Sequence, residues 1–222
     1  MPALDAVHRL KADWRAVVNT SPLRNRNLAL LMVSPTAGPK ASVLEGAARE
    51  LGARVANVCF IEPHESEHDE LAALARLLGR MYDAIDCGTL ASTSVDLIKV
   101  ESGIATYKGL GLDDHPAKAL ADLITLCDQR NPSEHPSSIR FQGDRETRRA
   151  RAFLTAASDV GFRVLAEEGA KPSSSEATFV VDAMDPLHWS LHEHANPVDE
   201  AHLSANHRLV IQTVLLGTIV SH

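Results

Sequence analysis

The chain has 222 residues, of which 45% are hydrophobic and 23% charged, a composition typical of a globular protein with one large domain or two small ones. The formal net charge of −7 argues against nucleic acid or an anionic membrane as a general partner, because both select basic surfaces. No segment approaches the roughly twenty apolar residues of a membrane span, and the N-terminus lacks the apolar core of a signal peptide. Three widely spaced cysteines (59, 87 and 127) predict reduced, buried thiols in a cytoplasmic protein.

The first half of the chain alternates between helical and strand patterns. Residues 5–19 suit an amphipathic helix, and the continuous apolar run at 28–33 is typical of a strand buried on both faces. A loop rich in proline follows, then a helix closed by Gly52 and a strand at 55–61. The alternation continues through five further segments: 71–81, 84–87, 95–102, 105–108 and the helix after His115. This order predicts an α/β fold with a mostly parallel sheet and helices on both faces.

The second half begins after a polar linker with two prolines at 128–138. The patterns predict strands at 139–144, 162–166 and 178–182, a helix at 146–159 and a closing helix at about 197–220. Little regular structure is expected between 183 and 202. The second domain is therefore predicted to hold about three strands.

A His-Pro pair opens the helix after residue 115. Proline suits the first turn of a helix because its missing N–H would have no intrahelical partner there. A side chain at such a helix start lies where backbone N–H groups and the helix dipole favour an anion. His115 is therefore a candidate ligand for an anionic group.

Two runs together resemble the ornithine carbamoyltransferase family. They are Leu-Gly-Arg-Met-Tyr-Asp-Ala-Ile at 78–85 and Asp-His-Pro-Ala-Lys-Ala-Leu-Ala-Asp-Leu-Ile-Thr at 114–125. The resemblance implies a carbamoyl-phosphate-binding-like domain at 1–130 and a shortened amino-acid-binding-like domain at 139–200. It also implies that a C-terminal helix at 201–222 packs back on the first domain. Members of the family are trimers, and their chains are longer than this one.

The family binds carbamoyl phosphate with a Ser-Thr-Arg-Thr-Arg loop and a His-Pro-Thr-Gln run. The matching loop in this chain has no arginine, and it offers only Ser34, Thr36 and Lys40. His115 remains, whereas Lys118 stands in place of the glutamine. Lysine is a point charge and does not replace the two-pronged guanidinium of arginine. The resemblance therefore implies a weakened phosphate site.

The motifs for the second substrate also depart from the family. The loop that contacts ornithine matches only at Asp182. The Glu-Asn-Arg of the last helix becomes Ala-Asn-His at 205–207, and Arg208 one residue later is the candidate substitute. Asp182 and Arg208 are therefore predicted to bind substrate, provided that the site has been retained.

Three functional hypotheses stay open. The leading one is a homologue that has lost transcarbamoylation and serves as a structural or regulatory protein, as a trimer or mixed with a true transferase. The second is an active carbamoyltransferase with an altered carbamoyl- or other acyl-phosphate substrate that Lys40, Lys118 and His115 bind, with His115 polarising a carbonyl group. The alternative role of His115 is only to start its helix. The third is a binding module for an anionic metabolite such as carbamoyl phosphate, with Lys40 and Lys118 as its cations. Their alternative role is that of solvated surface lysines.

Other polar clusters are weaker candidates. Four arginines (145, 148, 149 and 151) begin one helix and suit either a phosphate or acidic partner or, as favoured here, a solvated helix face. The histidines at 188, 192 and 194 match no closed zinc motif, so neither a metal nor a cofactor is expected.

Overall fold

The computed structural model describes residues 11, 14, 16–32, 42–60, 68–130, 137–165, 177–186, 188–194 and 196–220. They form two compact units, each with its own sheet. The β1–β4 unit comprises the described residues of Asp13–Leu112 and Ile211–His222, and the β5–β9 unit those of Met1–Ala12 and Asp113–Val210. The domain boundaries implied by the family resemblance remain a prediction.

The sheet of the β1–β4 unit has four parallel strands in the order β2-β1-β3-β4. The chain crosses between them through helices, as parallel strands require. The strands are β1 Asn27–Met32, β2 Arg54–Cys59, β3 Ala84–Asp86 and β4 Ala105–Tyr107. The helices are α1, described at residues 11, 14 and 16–19, then α2 Val43–Glu50, α3 His68–Met81 and α4 Ser92–Ser102.

Both faces of this sheet are covered. Ala29 and Leu31 of β1 pack with Ile85 of β3 against the buried residues of α3 and α4. Leu28 and Leu30, which alternate with them along β1, are buried as well. The connection from β1 to β2 runs in one direction along the sheet, and those from β2 to β3 and from β3 to β4 run in the other. Right-handed crossovers therefore place α2 on the face opposite α3 and α4. The apolar run at the start of the chain is therefore a central strand, as predicted.

The sheet of the β5–β9 unit has five strands in the order β6-β5-β7-β8-β9. The first three are parallel, whereas β8 and β9 are antiparallel additions. The prediction of about three strands was therefore wrong, because the short β8–β9 segment carries no clear alternation of apolar and polar residues. The strands are β5 Ser138–Gly143, β6 Arg163–Leu165, β7 Phe179–Ala183, β8 Ser190–Glu193 and β9 Asn196–Pro197. The helices are α5 Pro116–Gln129, α6 Arg148–Asp159 and α7 Glu200–Ile219, which runs into the other unit.

Helices α5 and α6 pack side by side in this unit, and both start at the same end. Asp122, in the middle of α5, bonds Arg149 in the first turn of α6; at the ends of the two helices, Arg130 donates to the carbonyl of Val160. The core beneath them consists of buried residues from α5, α6 and the strands: Ala119, Leu123, Leu126, Ile139, Phe141, Ala150, Phe153, Ala157, Phe179 and Val181. The arrangement brings the two helix N-termini together.

The predicted fold class is confirmed: the protein is α/β, with largely parallel sheets and packed helices. In the described part of the chain no helix has the length and apolar character needed to cross a bilayer. All three cysteines are free. The prediction that all are buried was wrong for Cys59, which is exposed because it ends the edge strand β2, and Cys127 is only half-buried.

Candidate functional site

Each sheet contains one point where the chain reverses its direction of winding. In the first sheet β1 lies between β2 and β3, and in the second β5 lies between β6 and β7. Ligands of open α/β sheets bind in the crevice outside the carboxyl ends of the strands at such a point. Candidate ligand sites therefore lie at the loops after β1 and β3 in one unit, and at the loops after β5 and β7 in the other.

The loop after β1 holds three predicted site residues. Ser34, Thr36 and Lys40 all lie outside the described residues. The loop that the family resemblance implies for a neighbouring subunit's site, at 62–67, also lies outside them. The predicted roles of these residues remain predictions.

The loop after β3 is held by a buried carboxylate. Asp86 accepts hydrogen bonds from the backbone N–H of Leu110 at 3.0 Å and from those of Gly109 and Gly88. Burial raises the pKa of Asp86, and the three N–H donors oppose that rise. Gly88 has a φ of +53°, and a Cβ there would lie 3.1 Å from the carbonyl oxygen of Leu31 on β1. This carboxylate therefore fixes the backbone at the crevice and is not itself free to bind a ligand.

His115 lies at the N-cap of α5, as the His-Pro pair predicted. Its Nδ1 accepts the backbone N–H of Ala117 at 3.0 Å, so the neutral ring carries its proton on Nε2. Burial and, to a smaller extent, the charge of Arg148 lower the pKa of His115 to about 4, against the opposing effect of Asp114. At neutral pH His115 is therefore an uncharged hydrogen-bond donor through Nε2, not a cation.

Lys118 is part of a buried ion network between α5 and α6. Its Nζ lies 2.6 Å from Oδ1 of Asp122, and Nη2 of Arg149 lies 2.6 Å from Oδ2 of the same carboxylate. The side chain of Asp122 is fully buried and that of Arg149 is 3% exposed, whereas Lys118 reaches solvent with 16%. The three side chains carry a net charge of +1, because one carboxylate faces two cations.

An aromatic cluster supports the arginine of this network. The guanidinium carbon of Arg149 lies 4.0 Å from the ring centroid of Trp189, within the range of a cation–π interaction. Trp189 in turn packs edge-to-face on Phe141 and Phe153, with centroids 5.3 and 5.9 Å away. These contacts hold the guanidinium in one orientation between α6 and the segment before β8.

His207 of α7 completes the cluster. The ring is 3% exposed, and burial, together with smaller effects of Lys118, Arg149 and His115, lowers the pKa of His207 to about 3. Among the described residues, Nε2 of His207 and Nε of Arg149 are buried without a hydrogen-bond partner. A buried polar group left unpaired costs about 1–3 kcal/mol. The cluster therefore has a positive potential, and two of its buried nitrogen atoms are available for hydrogen bonds with a ligand.

The other two predicted site residues lie apart from this network. Asp182, near the end of β7, is half-buried and accepts the backbone N–H of Met184 at 3.1 Å, which forms a local turn. Arg208 is exposed on α7, whereas its neighbour His207 is buried. His207 occupies the position of the arginine in the family's Glu-Asn-Arg motif. It is therefore His207, and not Arg208, that lies near His115. Substrate binding by Asp182 and Arg208 remains a prediction.

Asp122, His207 and Trp189 were not predicted as site residues, and Arg149 was predicted only as one member of an arginine run. The favoured interpretation of the arginine run as a solvated face is wrong for Arg149, which is buried. The signal was helical spacing: Arg149 is in register with Phe153 and Ala157 on the apolar face of α6. Within the described part of the chain, no group of three or more His, Cys, Asp or Glu side chains is placed to hold a metal ion.

Known proteins resemble the chain in both sequence and fold. Residues 2–128 match the family model described as the carbamoyl-P binding domain of aspartate/ornithine carbamoyltransferase. The catabolic ornithine carbamoyltransferase of Clostridium perfringens (strain 13) is 28% identical over 172 residues, which are 76% of this chain and 51% of that protein. The chain thus spans about half the length of the curated relatives it matches.

Solved structures show the same fold at low sequence identity. The ornithine carbamoyltransferase of Burkholderia thailandensis superposes with a TM-score of 0.65 at 15% identity, covering 98% of this chain and 93% of that one. The mitochondrial enzyme of Coccidioides immitis gives a TM-score of 0.66 at 12% identity, with 98% and 94% covered. Since the family model matches more than half of the sequence, the chain belongs to the aspartate/ornithine carbamoyltransferase family.

Proposed function

We propose that this protein is a carbamoyltransferase homologue that does not transfer carbamoyl groups and acts as a structural or regulatory protein, in the cytoplasm as its composition predicts. The observation that carries the proposal is the network of Lys118, Asp122 and Arg149. Transfer between two substrates depends on positioning and on donors directed at developing charge. Here Nζ of Lys118 and Nη2 of Arg149 are both engaged by the carboxylate of Asp122 and are not directed at a substrate.

The lack of a positive charge on His115 supports the same proposal, because only a neutral Nε2–H donor remains there. Its Nδ1 is used to cap α5, and its low pKa keeps the ring neutral. Loss of one electrostatic donor typically lowers a catalytic rate by about 10²–10³-fold. The phosphate loop of this chain also lacks the arginines that the family resemblance implies. The combined losses favour a protein without transcarbamoylation.

The test is a transcarbamoylation assay on protein made in a host without its own ornithine carbamoyltransferase. Carbamoyl phosphate and ornithine are supplied, and citrulline is measured. We expect no citrulline above that of a His115→Ala preparation purified in parallel. Citrulline formation that is present in the wild type and lost in His115→Ala would overturn the proposal.

A second candidate is an active transferase with an altered acceptor. The neutral His115 favours it, because an uncharged ring with its proton on Nε2 can donate a hydrogen bond to a carbonyl oxygen. Calorimetric titration of carbamoyl phosphate, with plain phosphate as control, tests this candidate. Binding that resists phosphate would favour it, and a screen of amine and amino-acid acceptors would follow.

The partner of a non-catalytic homologue is proposed to be another subunit, either a second copy in a trimer or a true carbamoyltransferase. Leu77 and Met81, one turn apart on α3, are 51% and 54% exposed, and a subunit interface would cover such apolar surface. Light scattering after size exclusion should give three times the 24.0 kDa chain mass for the trimer. A monomer that does not associate with a purified transferase would contradict this proposal.

A further inference from the structure

The start of α5 is enclosed by polar side chains with unused hydrogen-bonding capacity. His207 and Arg149 are each 3% exposed, and their Nε2 and Nε atoms have no partner in the described part of the chain. The first N–H groups of α5 are already used, since Ala117 donates to Nδ1 of His115 and Lys118 to its carbonyl oxygen. A ligand here would therefore be held by side chains, with the helix dipole adding to the attraction.

We propose that this cluster, formed by Lys118, Arg149, His115 and His207, binds one small planar oxyanion with a single negative charge, of the size of a carboxylate or bicarbonate. Nε of Arg149 donates to the anion, and His207 does so in the tautomer that carries its proton on Nε2. Lys118, whose side chain is 16% exposed, connects the cluster with solvent. The proposal rests on the proposed function, because a site filled by such an anion does not serve carbamoyl transfer.

Charge selects a monoanion. The network of Lys118, Arg149 and Asp122 has a net charge of +1, and both histidines are neutral at pH 7. A monoanion brings the buried site to neutrality, whereas a phosphate dianion would leave an uncompensated buried charge. Burial is the main cause of the low pKa of His207, and the charges of Lys118 and Arg149, which add to it, also attract an anion.

Trp189 provides a direct optical probe. Its ring lies on the guanidinium of Arg149, so an anion on that guanidinium changes the field at the indole. The chain has two tryptophans, and Trp14→Phe leaves Trp189 as the only one. Trp14 donates to Gln212, and both residues lie in the β1–β4 unit, whereas the cluster lies in the β5–β9 unit.

The experiment titrates Trp14→Phe protein with sodium acetate at pH 7.5 and constant ionic strength, with chloride and phosphate in parallel. We expect a saturable change in Trp189 emission with acetate, at a concentration at least tenfold lower than for chloride or phosphate. The variants His207→Phe and Lys118→Met, added to the same background, should each weaken acetate binding at least tenfold. Thermal unfolding followed by circular dichroism checks that both variants fold.

A second readout does not depend on tryptophan. The histidine resonances of ¹⁵N-labelled wild-type protein are titrated with and without acetate, and the pKa of His207 should rise with acetate bound. No saturable response to acetate, or an equal response in folded His207→Phe, would overturn this inference and leave the proposed function standing. Tighter binding of phosphate than of acetate would also overturn it. The proposed function is tested separately by the transcarbamoylation assay, in which citrulline formation would contradict it.

Discussion

Nη2 of Arg149 lies 2.6 Å from Oδ2 of Asp122, and this ion pair joins α6 to α5 with both side chains buried. Removing one partner of a buried pair leaves the other charge uncompensated. Asp122 faces two cations, so its replacement leaves both without a counter-ion.

Asp122→Asn is therefore expected to lower the free energy of unfolding by about 3–5 kcal/mol, as measured by urea denaturation. The matched control is Glu101→Gln, which breaks the exposed pair between Glu101 and Arg76. That change should cost less than about 1 kcal/mol, because solvent screens exposed ion pairs. Equal effects of the two substitutions would contradict the role assigned to the buried network.

The two buried histidines predict loss of stability in mild acid. The pKa of His207 is lowered from 6.5 to about 3, and that of His115 to about 4, mainly by burial. Below pH 6.5 the unfolded chain binds protons that the folded chain does not, so stability falls as pH drops from 6.5 toward these lower values. His207→Gln should make the urea midpoint fall less between pH 7 and pH 4.5 than it does in the wild type. The same fall in both proteins would show that other groups dominate.

Gly79 marks the closest approach of α3 to α4. A Cβ at this position would lie 2.2 Å from the carbonyl oxygen of Ser102, and a backbone atom cannot move aside as a flexible side chain can. Gly79→Ala should therefore destabilise the protein by about 1–3 kcal/mol, in spite of the better helix propensity of alanine. A Cβ added at Gly46 on α2 would have nothing within 4 Å, so Gly46→Ala is the control. It should be neutral or stabilise by up to about 1 kcal/mol. Equal melting temperatures for the two variants would disprove the contact.

Thiol reactivity should distinguish the three cysteines. Cys59 is exposed at the end of the edge strand, whereas burial raises the pKa of Cys87 to about 12 and that of Cys127 to about 11. Because the thiolate is the reactive form, one thiol per chain should react rapidly with Ellman's reagent in native protein, and three in denaturant. Cys59→Ser should abolish the rapid phase. Two rapid equivalents in native protein would place a second thiol at the surface.

Much of the fold followed from local pattern. The apolar run at the start of the chain predicted the central strand β1, because only a strand covered on both faces lacks polar alternation. The His-Pro pair predicted the start of α5, and Gly52 the end of α2, because both depend on backbone chemistry within a few residues. Strands β8 and β9 were not predicted, since short antiparallel additions are stabilised by pairing with β7 and not by their own sequence.

The sequence by itself determined the α/β order of elements and the family, because periodicity and the two matching runs are local properties of the chain. It also identified His115 and Lys118 as candidates. Only the tertiary structure decided that Lys118 faces Asp122 and Arg149, and that His207 in place of Arg208 is buried beside them. The physical reason is that burial and ion pairing join residues of α5, α6 and α7 that lie up to about ninety positions apart in the sequence. No local pattern specifies which of several arginines or histidines is buried in this cluster.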